Sequence, residues 1–196
     1  MPHPCFILAS ESPRRRDMLA ALDLSFRCEP PRVEEILRPD EPPAEFARRM
    51  AALKASTVAR QTRDRLPVLA ADTIVCIDDH ILGKPSCPET AISTLRRLSG
   101  RTHAVLTAVA LHVQGTTHER FVMTDVTFRK LSNAQIEWYV NTGEAADKAG
   151  SYAIQGKGAF MVDLIDGSPS NVIGLPLGET IELLESAAVK LPWNPK

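Results

Sequence analysis

The feature that most constrains the fold is a short apolar run that leads directly into the start of a helix. Cys5–Ala9 contains five residues of low polarity, a length typical of a buried strand. Ser12 is suited to cap the N-terminus of a helix, and Pro13 is suited to its first position. A buried strand followed at once by a helix predicts an α/β arrangement for this part of the chain.

Helical and strand patterns continue to alternate along the 196 residues, a length that fits one large domain or two small lobes. Apolar periodicity predicts further helices over residues 43–62 and 89–98, and a last helix is predicted over residues 179–190. A capping box of Ser132 with Gln135 predicts another helix over residues 132–139. Strands are predicted over residues 67–77, with an interruption at Asp72 and Thr73, and in a long hairpin formed by residues 103–113 and 120–129. Together these elements predict an α/β fold with a mixed sheet.

Charge and cysteine content exclude several classes of protein. The 23 basic and 24 acidic residues give a net charge of −1, so no global field favours nucleic acid or an anionic membrane. The four cysteines are predicted to be free thiols in a reducing compartment, since they form no CxxC pair and no zinc-type spacing. They are Cys5, Cys28, Cys76 and Cys87. Residues 1–4 have no basic region of the kind that opens a signal peptide, and no apolar run has the length of a membrane helix. We therefore expect a cytoplasmic protein that binds neither nucleic acid nor membrane.

The segment from Ser10 to Arg16 is the first candidate binding site. A helix start offers unpaired backbone N–H groups, and the guanidinium groups of Arg14, Arg15 and Arg16 can each hold phosphate oxygens with two donors. This pattern favours a polyphosphate ligand. A capped surface helix with solvated arginines explains the same pattern equally well.

Asp72 is the second candidate, because a carboxylate within a predicted buried strand must be paired, metal-bound or at a cleft. A structural aspartate near a strand break is the more common case. Four further charged residues are predicted to lie in loops or on helix faces that could converge on it, namely Glu34, Glu35, Lys54 and Lys84. Carboxylates and lysines beside an arginine-rich phosphate site are typical of magnesium-dependent phosphoryl or nucleotidyl enzymes.

The third candidate is the glycine-rich stretch from Gly150 to Gly158. Gln155 at its centre can both donate and accept a hydrogen bond, which complements the imide edge of uracil or thymine. The stretch matches neither a dinucleotide-binding fingerprint nor a Walker A loop, and glycine-rich segments are often only turns. His103 is interpreted as a structural or cleft-lining residue rather than a catalytic one.

Several motifs occur in order over nearly the whole chain, and together they are far more specific than any one of them. They are Leu8-Ala9-Ser10-x-Ser12-Pro13-Arg14-Arg15, Ala71-Asp72-Thr73-Ile74-Val75, Leu82-Gly83-Lys84-Pro85, Leu98-Ser99-Gly100-x-x-His103-x-Val105, Asp147-Lys148-Ala149-Gly150-x-Tyr152-x-Ile154-Gln155-Gly156 and Gly174-Leu175-Pro176-Leu177. In this combination the chain resembles the Maf family of nucleoside triphosphate pyrophosphatases.

The resemblance implies a single domain over residues 1–196, related to the inosine triphosphatase type. Its fold would be an elongated mixed sheet flanked by helices, in two lobes with a central cleft that binds a nucleotide. The implied reaction is hydrolysis of a nucleoside triphosphate between the α and β phosphates, which yields a monophosphate and pyrophosphate. A divalent cation, Mg²⁺ or Mn²⁺, and a homodimer are implied as well.

Carried over by position, Ser10, Arg14 and Arg15 match the motif that grips the phosphates. The polar cluster around the metal and the scissile phosphate is matched by Glu35, Lys54, Asp72 and Lys84. Glu35 is preferred to Glu34 because it precedes Lys54 by the family's spacing. The resemblance implies that Asp72 accepts a proton from the attacking water, and that Glu35 and Asp72 hold the metal. The sequence does not decide between the two roles of Asp72.

The branch of the family follows from the positions tied to base choice. Arg14, Thr73 and Gln155 match the branch that acts on dTTP and UTP, whereas the branch for 7-methyl-GTP has a glutamate in place of this glutamine. We therefore expect a dTTP/UTP pyrophosphatase. Two alternatives are a pyrophosphatase for 7-methyl-GTP or modified nucleotides, and a nucleotide-binding regulator of septum formation. Intact Asp72, Lys54 and Lys84 argue against a purely non-catalytic protein.

Overall fold

A computed structural model describes residues 3–194. Met1 and Pro2, part of the N-terminal segment considered above, lie outside the described residues, as do residues 195 and 196. The described chain forms one sheet of seven strands, whose order in space is β2-β1-β3-β5-β6-β7, with β4 paired to β3. The strands are β1 (Phe6–Leu8), β2 (Phe26–Cys28), β3 (Val68–Ile77), β4 (His80–Leu82), β5 (Thr102–Val113), β6 (Thr116–Phe128) and β7 (Val162–Asp166).

The sheet is mixed, as the sequence predicted. β1 pairs in parallel with both β2 and β3, whereas β4 runs antiparallel to β3 and β7 runs antiparallel to β6. Parallel neighbours require a crossover, and a helix fills this role after β1 and again before β3. The expected α/β class with helices beside a mixed sheet is thus confirmed.

Six α-helices and two 3₁₀ turns accompany the sheet within residues 3–194. The helices are α1 (Pro13–Ala20), α2 (Pro43–Gln61), α3 (Pro88–Leu98), α4 (Asn133–Asn141), α5 (Pro169–Ile173) and α6 (Leu177–Ser186), and the 3₁₀ turns are Ala149–Ser151 and Lys157–Met161. The Ser12 side chain caps α1 by accepting from the backbone N–H of Arg15, and Ser132 with Gln135 forms the predicted capping box of α4. None of these helices is both long and apolar enough to cross a membrane.

Several local expectations were wrong. β3 runs without interruption through Asp72 and Thr73, because the ammonium group of Lys54 pairs with the buried aspartate. The last helix was expected to extend to residue 190 but ends at Ser186. The chain turns soon afterwards at Ala188, which has a positive φ of 52°. β2, β4 and β7 were not predicted, since strands of three to five residues carry little periodicity.

The chain divides into two compact units, each with its own apolar core. The first unit consists of the described residues up to Asp72, Thr107–Val122 and the described residues from Gly174 onward. The second consists of Thr73–Leu106 and Met123–Ile173. All four cysteines are free, as predicted from their spacing.

Candidate functional site

A buried ion pair between α2 and β3 lies at the centre of the candidate site in the first unit. Asp72 is 5% exposed and Lys54 is 8% exposed. The Nζ atom of Lys54 lies 2.5 Å from Oδ1 of Asp72. Lys54 projects from the apolar face of α2, which also carries Met50 and Val58, so its charge requires a nearby carboxylate.

A second carboxylate meets the same ammonium group from the solvent side. Oε1 of Glu35 lies 2.6 Å from Nζ of Lys54, and the Glu35 side chain is 54% exposed. Lys54 therefore joins one buried and one accessible carboxylate. Of the two adjacent glutamates considered in the sequence, Glu35 is the one that contacts Lys54.

Arg15 connects the segment from Ser10 to Arg16 to the strand that carries Asp72. Its Nε donates to the carbonyl oxygen of Gly174 at 2.8 Å, and its Nη1 donates to that of Ala71 at 2.8 Å. Burial lowers the pKa of the Arg15 guanidinium, while the negative charge of Asp72 opposes that shift. The guanidinium thus brings positive charge to the peptide beside Asp72, and two of its N–H groups already bind backbone carbonyls.

Ser10 and Arg14 lie at the N-terminal side of α1. The Ser10 hydroxyl is buried and accepts from the backbone N–H of Ser12 at 3.1 Å, and Nη1 of Arg15 approaches it at 3.5 Å. Arg14 is half-buried at the start of α1, and its charge helps to lower the pKa of Arg15. The structure therefore brings together Ser10, Arg14 and Arg15 at one helix start.

A salt bridge that the sequence analysis missed holds the loop that carries Glu35. Arg49, on α2, donates from Nε and Nη2 to the two carboxylate oxygens of Glu41, each at 2.6 Å. The Nη2 group also donates to the carbonyl oxygen of Ile36, next to Glu35, at 2.8 Å. Glu41 lies outside α2, eight residues before Arg49, so no helical spacing signals the pair.

The remaining predicted site residues belong to the second unit. Thr73 is half-buried on β3, and Lys84 is exposed just after β4. Gln155 is exposed between the two 3₁₀ turns. These positions leave the side chains of Lys84 and Gln155 accessible to a ligand.

His103 lies in an aromatic cluster of the second unit. Its Nε2 is 2.9 Å from the hydroxyl of Tyr152, and its ring packs edge-on against Phe128. Burial lowers the pKa of His103 to about 4, so the ring is neutral at neutral pH. These contacts are those of a structural histidine.

The residues around Lys54 fit a divalent cation that is shared with a substrate. Within residues 3–194, no group of three or more His, Cys, Asp and Glu side chains is arranged to hold a metal alone. Mg²⁺ commonly binds through one or two carboxylates and completes its octahedron with water and phosphate oxygens. Glu35 and Asp72 supply two carboxylates, which suffice for such an ion but not for a closed protein cage.

Comparison with known proteins gives matches over nearly the whole chain. The family model described as "Maf-like protein" matches residues 5–187. A dTTP/UTP pyrophosphatase of Myxococcus xanthus is 50% identical over 189 residues, covering 96% of this chain and 95% of the relative. A relative with the same name in Anaeromyxobacter dehalogenans (strain 2CP-1) is 46% identical, covering 97% of this chain and 98% of the relative. Another in Moorella thermoacetica is 49% identical, covering 91% of this chain and 92% of the relative.

A solved structure shares a much lower sequence identity with this chain. The nucleoside-triphosphatase, or dITP/XTP pyrophosphatase, of Mycobacterium abscessus is 13% identical, with a TM-score of 0.45. The match covers 93% of this chain and 95% of that one. No conclusion about site or substrate rests on this similarity.

Proposed function

The chain belongs to the Maf family, and from that membership we propose that it is a nucleoside triphosphate pyrophosphatase that hydrolyses dTTP and UTP. The products are the nucleoside monophosphate and pyrophosphate. The observation that carries the proposal is the 45–50% identity, over nearly full length, to relatives named dTTP/UTP pyrophosphatase.

In the proposed reaction, water attacks the α-phosphorus while Asp72 accepts its proton. A bond forms between the water oxygen and the α-phosphorus, and the bond from that phosphorus to the bridging oxygen breaks. The electron pair leaves with pyrophosphate. The contact between Lys54 and Asp72 supports this role, because it fixes the orientation of the carboxylate before substrate arrives.

Positive side chains are proposed to stabilise the charge that develops on the leaving group. Arg14 and Lys84 would bind the outer phosphates, and Arg15 would add its charge beside Asp72, with Ser10 as a further hydrogen-bond donor. Asp72 does not serve as base and metal ligand at once, so with Asp72 as the base Glu35 would hold Mg²⁺ or Mn²⁺ together with phosphate oxygens of the substrate. When bound, such an ion supplies positive charge to the phosphate oxygens.

Base recognition is proposed for Gln155, together with Thr73. A glutamine amide can donate to one atom of a pyrimidine imide edge and accept from its neighbour. The exposure of Gln155 supports this role, because the amide is accessible to a base. Cytosine presents the reverse pattern of donor and acceptor, so an amide that is held in one orientation pairs with uracil or thymine and is mismatched against cytosine.

We further propose a cytoplasmic homodimer that does not bind nucleic acid. The net charge of −1 supports the last point, since binding to the phosphate backbone needs a basic surface. The homodimer is supported by the family resemblance, and the compartment by the four free cysteines, since disulfides are rare in the cytosol. Analytical ultracentrifugation of the purified chain tests the oligomeric state.

Product analysis with UTP tests the proposed reaction. The expected products are UMP and pyrophosphate in equal amounts, with turnover lost when a chelator removes divalent cations and restored by added Mg²⁺. UDP and orthophosphate would contradict cleavage at the α–β bond. Unchanged turnover in excess chelator would contradict the role of the metal.

A further inference from the structure

The segment that carries Gln155 is anchored at both ends by two side chains outside it. Ala153 and Gly158 are buried, whereas Gln155 between them is exposed. The residues that contact the two ends are Tyr139, on α4, and Glu144, in the turn that follows α4. All five residues belong to the second unit.

Glu144 binds the C-terminal end of the segment with both carboxylate oxygens. Its Oε1 accepts from the backbone N–H of Gly158 at 2.9 Å, and its Oε2 accepts from that of Lys157 at 3.0 Å. Two adjacent backbone donors are thus held by one carboxylate. This arrangement fixes the direction in which the chain leaves Gln155.

Tyr139 connects Glu144 to the N-terminal end of the same segment. Its hydroxyl donates to Oε1 of Glu144 at 3.1 Å and accepts from the backbone N–H of Ala153 at 3.0 Å. Its ring is fully buried in the core of the second unit. Glu144 is therefore attached to a rigid element, and through it the segment is attached at both ends.

The segment is packed closely enough that two glycines are required. A Cβ atom on Gly158 would lie 2.3 Å from the carbonyl oxygen of Ala153, and one on Gly156 would lie 2.7 Å from Oε2 of Glu144. Gly156 also has a φ of 108°, a conformation that other residues rarely adopt. Gly156 thus leaves room for the Glu144 carboxylate, and Gly158 allows the two ends of the segment to lie close together.

The Glu144 carboxyl is ionised, which lets both of its oxygens accept the backbone hydrogen bonds described above. Burial raises the pKa of the Glu144 carboxyl, but the backbone N–H groups of Gly158 and Lys157, the Tyr139 hydroxyl and the charge of Lys157 together lower it by more, so the net pKa lies below its usual value. Both oxygens are therefore acceptors at neutral pH. A glutamine at this position would present an amide donor to one of the backbone donors and lose that bond.

We propose that Glu144 is a positioning residue that holds Gln155 in place to recognise a pyrimidine base, and that it thereby determines base selectivity. This inference rests on the function proposed above, because it requires that Gln155 contacts the base. Neither Glu144 nor Tyr139 touches the substrate in this account. Their effect is to hold the backbone on both sides of Gln155 in one conformation before the nucleotide binds.

Kinetics of Glu144→Gln for UTP and CTP provide the test. We expect the KM for UTP to rise about tenfold and the preference for UTP over CTP to fall by a similar factor, since one charge-assisted hydrogen bond is lost. The kcat for UTP should change little, because the contacts of Glu144 are with Tyr139, Lys157 and Gly158 and not with the residues proposed for the chemical step. Glu137→Gln is the matched control, since Glu137 is an exposed glutamate on α4, and it should leave both constants unchanged.

Tyr139→Phe provides a second variant that keeps the buried ring. It removes the hydroxyl that accepts from Ala153, so a smaller shift in the same direction is expected. A merely structural role for Glu144 would lower the melting temperature without changing the ratio of kcat/KM for the two nucleotides. That ratio is therefore measured at a temperature where each variant is folded.

The two proposals fail in different ways. A wild-type enzyme with no preference for UTP over CTP would contradict the proposed role of Gln155. A wild-type preference that persists unchanged in Glu144→Gln, or in Tyr139→Phe if the first variant does not fold, would overturn the inference about Glu144 alone.

Discussion

The Nζ atom of Lys54 lies 2.5 Å from Oδ1 of Asp72, and this contact joins the apolar face of α2 to the middle of β3. Each charge makes the burial of the other possible, because an isolated ammonium or carboxylate is costly in a protein interior. The exposed carboxylate of Glu35 contacts the same nitrogen. Lys54 thus orients a buried carboxylate and an accessible one at a single point.

Asp72→Asn should abolish turnover while leaving nucleotide binding nearly intact. The amide has the same shape and can still accept from Lys54, but it cannot take a proton from water. We expect kcat to fall by at least about a hundredfold, the usual contribution of a general base. Pyrophosphate release measures the first effect, and calorimetric titration with a non-hydrolysable UTP analogue measures the second.

Asp163→Asn, on the exposed face of β7, is the matched control and should behave as wild type. Turnover retained in Asp72→Asn would rule out Asp72 as the base. A loss of Mg²⁺ affinity in Asp72→Asn, measured with the nucleotide analogue present, would assign Asp72 to the metal instead.

Lys54→Met should lower stability as well as activity. It leaves the Asp72 carboxylate buried without the cation beside it, which typically costs about 3 kcal/mol or more. Urea denaturation measures the free energy of unfolding. Lys130→Met, at an exposed position, is the control. An equal loss of unfolding free energy in both variants would contradict a stabilising contact between Lys54 and Asp72.

Glu41→Gln should lower stability at neutral pH but not in acid. Hydrogen bonds from Arg49 lower the pKa of Glu41 to about 2, below the value of about 4.3 for an unfolded chain. The unfolded state therefore binds more protons in this range, so the stabilisation is complete above about pH 4.3 and is lost as the pH falls towards 2.

The measurement is the difference in the free energy of unfolding between wild type and Glu41→Gln. This difference should shrink from about pH 6 to about pH 3. Glu45→Gln, an exposed glutamate in the first turn of α2, should show no such trend. A difference for Glu41→Gln that stays constant with pH would contradict the contact with Arg49.

About half of the fold and of the candidate site could be predicted from the sequence. Ser12 and Pro13 mark the start of α1, and Ser132 with Gln135 marks the start of α4, because caps depend on residues only three positions apart. The hairpin of β5 and β6 was also predicted, although its turn is shorter than expected and consists of Gln114 and Gly115.

The sequence analysis missed contacts between residues that lie far apart along the chain and share no recognisable spacing. Glu41 and Arg49 lie eight residues apart, and Glu144 and Gly158 lie fourteen apart, so only the folded chain brings them together. The predicted break in β3 was wrong for the same reason. Asp72 looked unsatisfied within its own segment, whereas Lys54, 18 residues earlier, provides the partner.

Because His103 is buried in its neutral form, the free energy of unfolding should fall as the pH decreases from about 6.5 to about 4. Burial keeps its native pKa at about 4, while an unfolded histidine has a pKa near 6.5. The unfolded state binds the extra proton in this interval, so unfolding becomes easier by up to about 1.4 kcal/mol per pH unit.

Denaturation at about pH 7 and about pH 5 tests this prediction. His103→Gln, which can still bond to the Tyr152 hydroxyl, should lose part of the pH dependence of wild type, whereas exposed His118→Gln should keep all of it. Parallel pH profiles for wild type and His103→Gln would contradict a buried neutral ring.

Pyrophosphate release over a panel of triphosphates tests the proposed reaction and the proposed base preference together. The panel contains dTTP, UTP, CTP, dGTP, ITP and 7-methyl-GTP, and each is assayed with Mg²⁺ and with a chelator. We expect metal-dependent release concentrated on dTTP and UTP, and loss of that preference in Gln155→Glu. A preference for 7-methyl-GTP would contradict the base recognition assigned to Gln155, and no release from any nucleotide would contradict the enzyme itself.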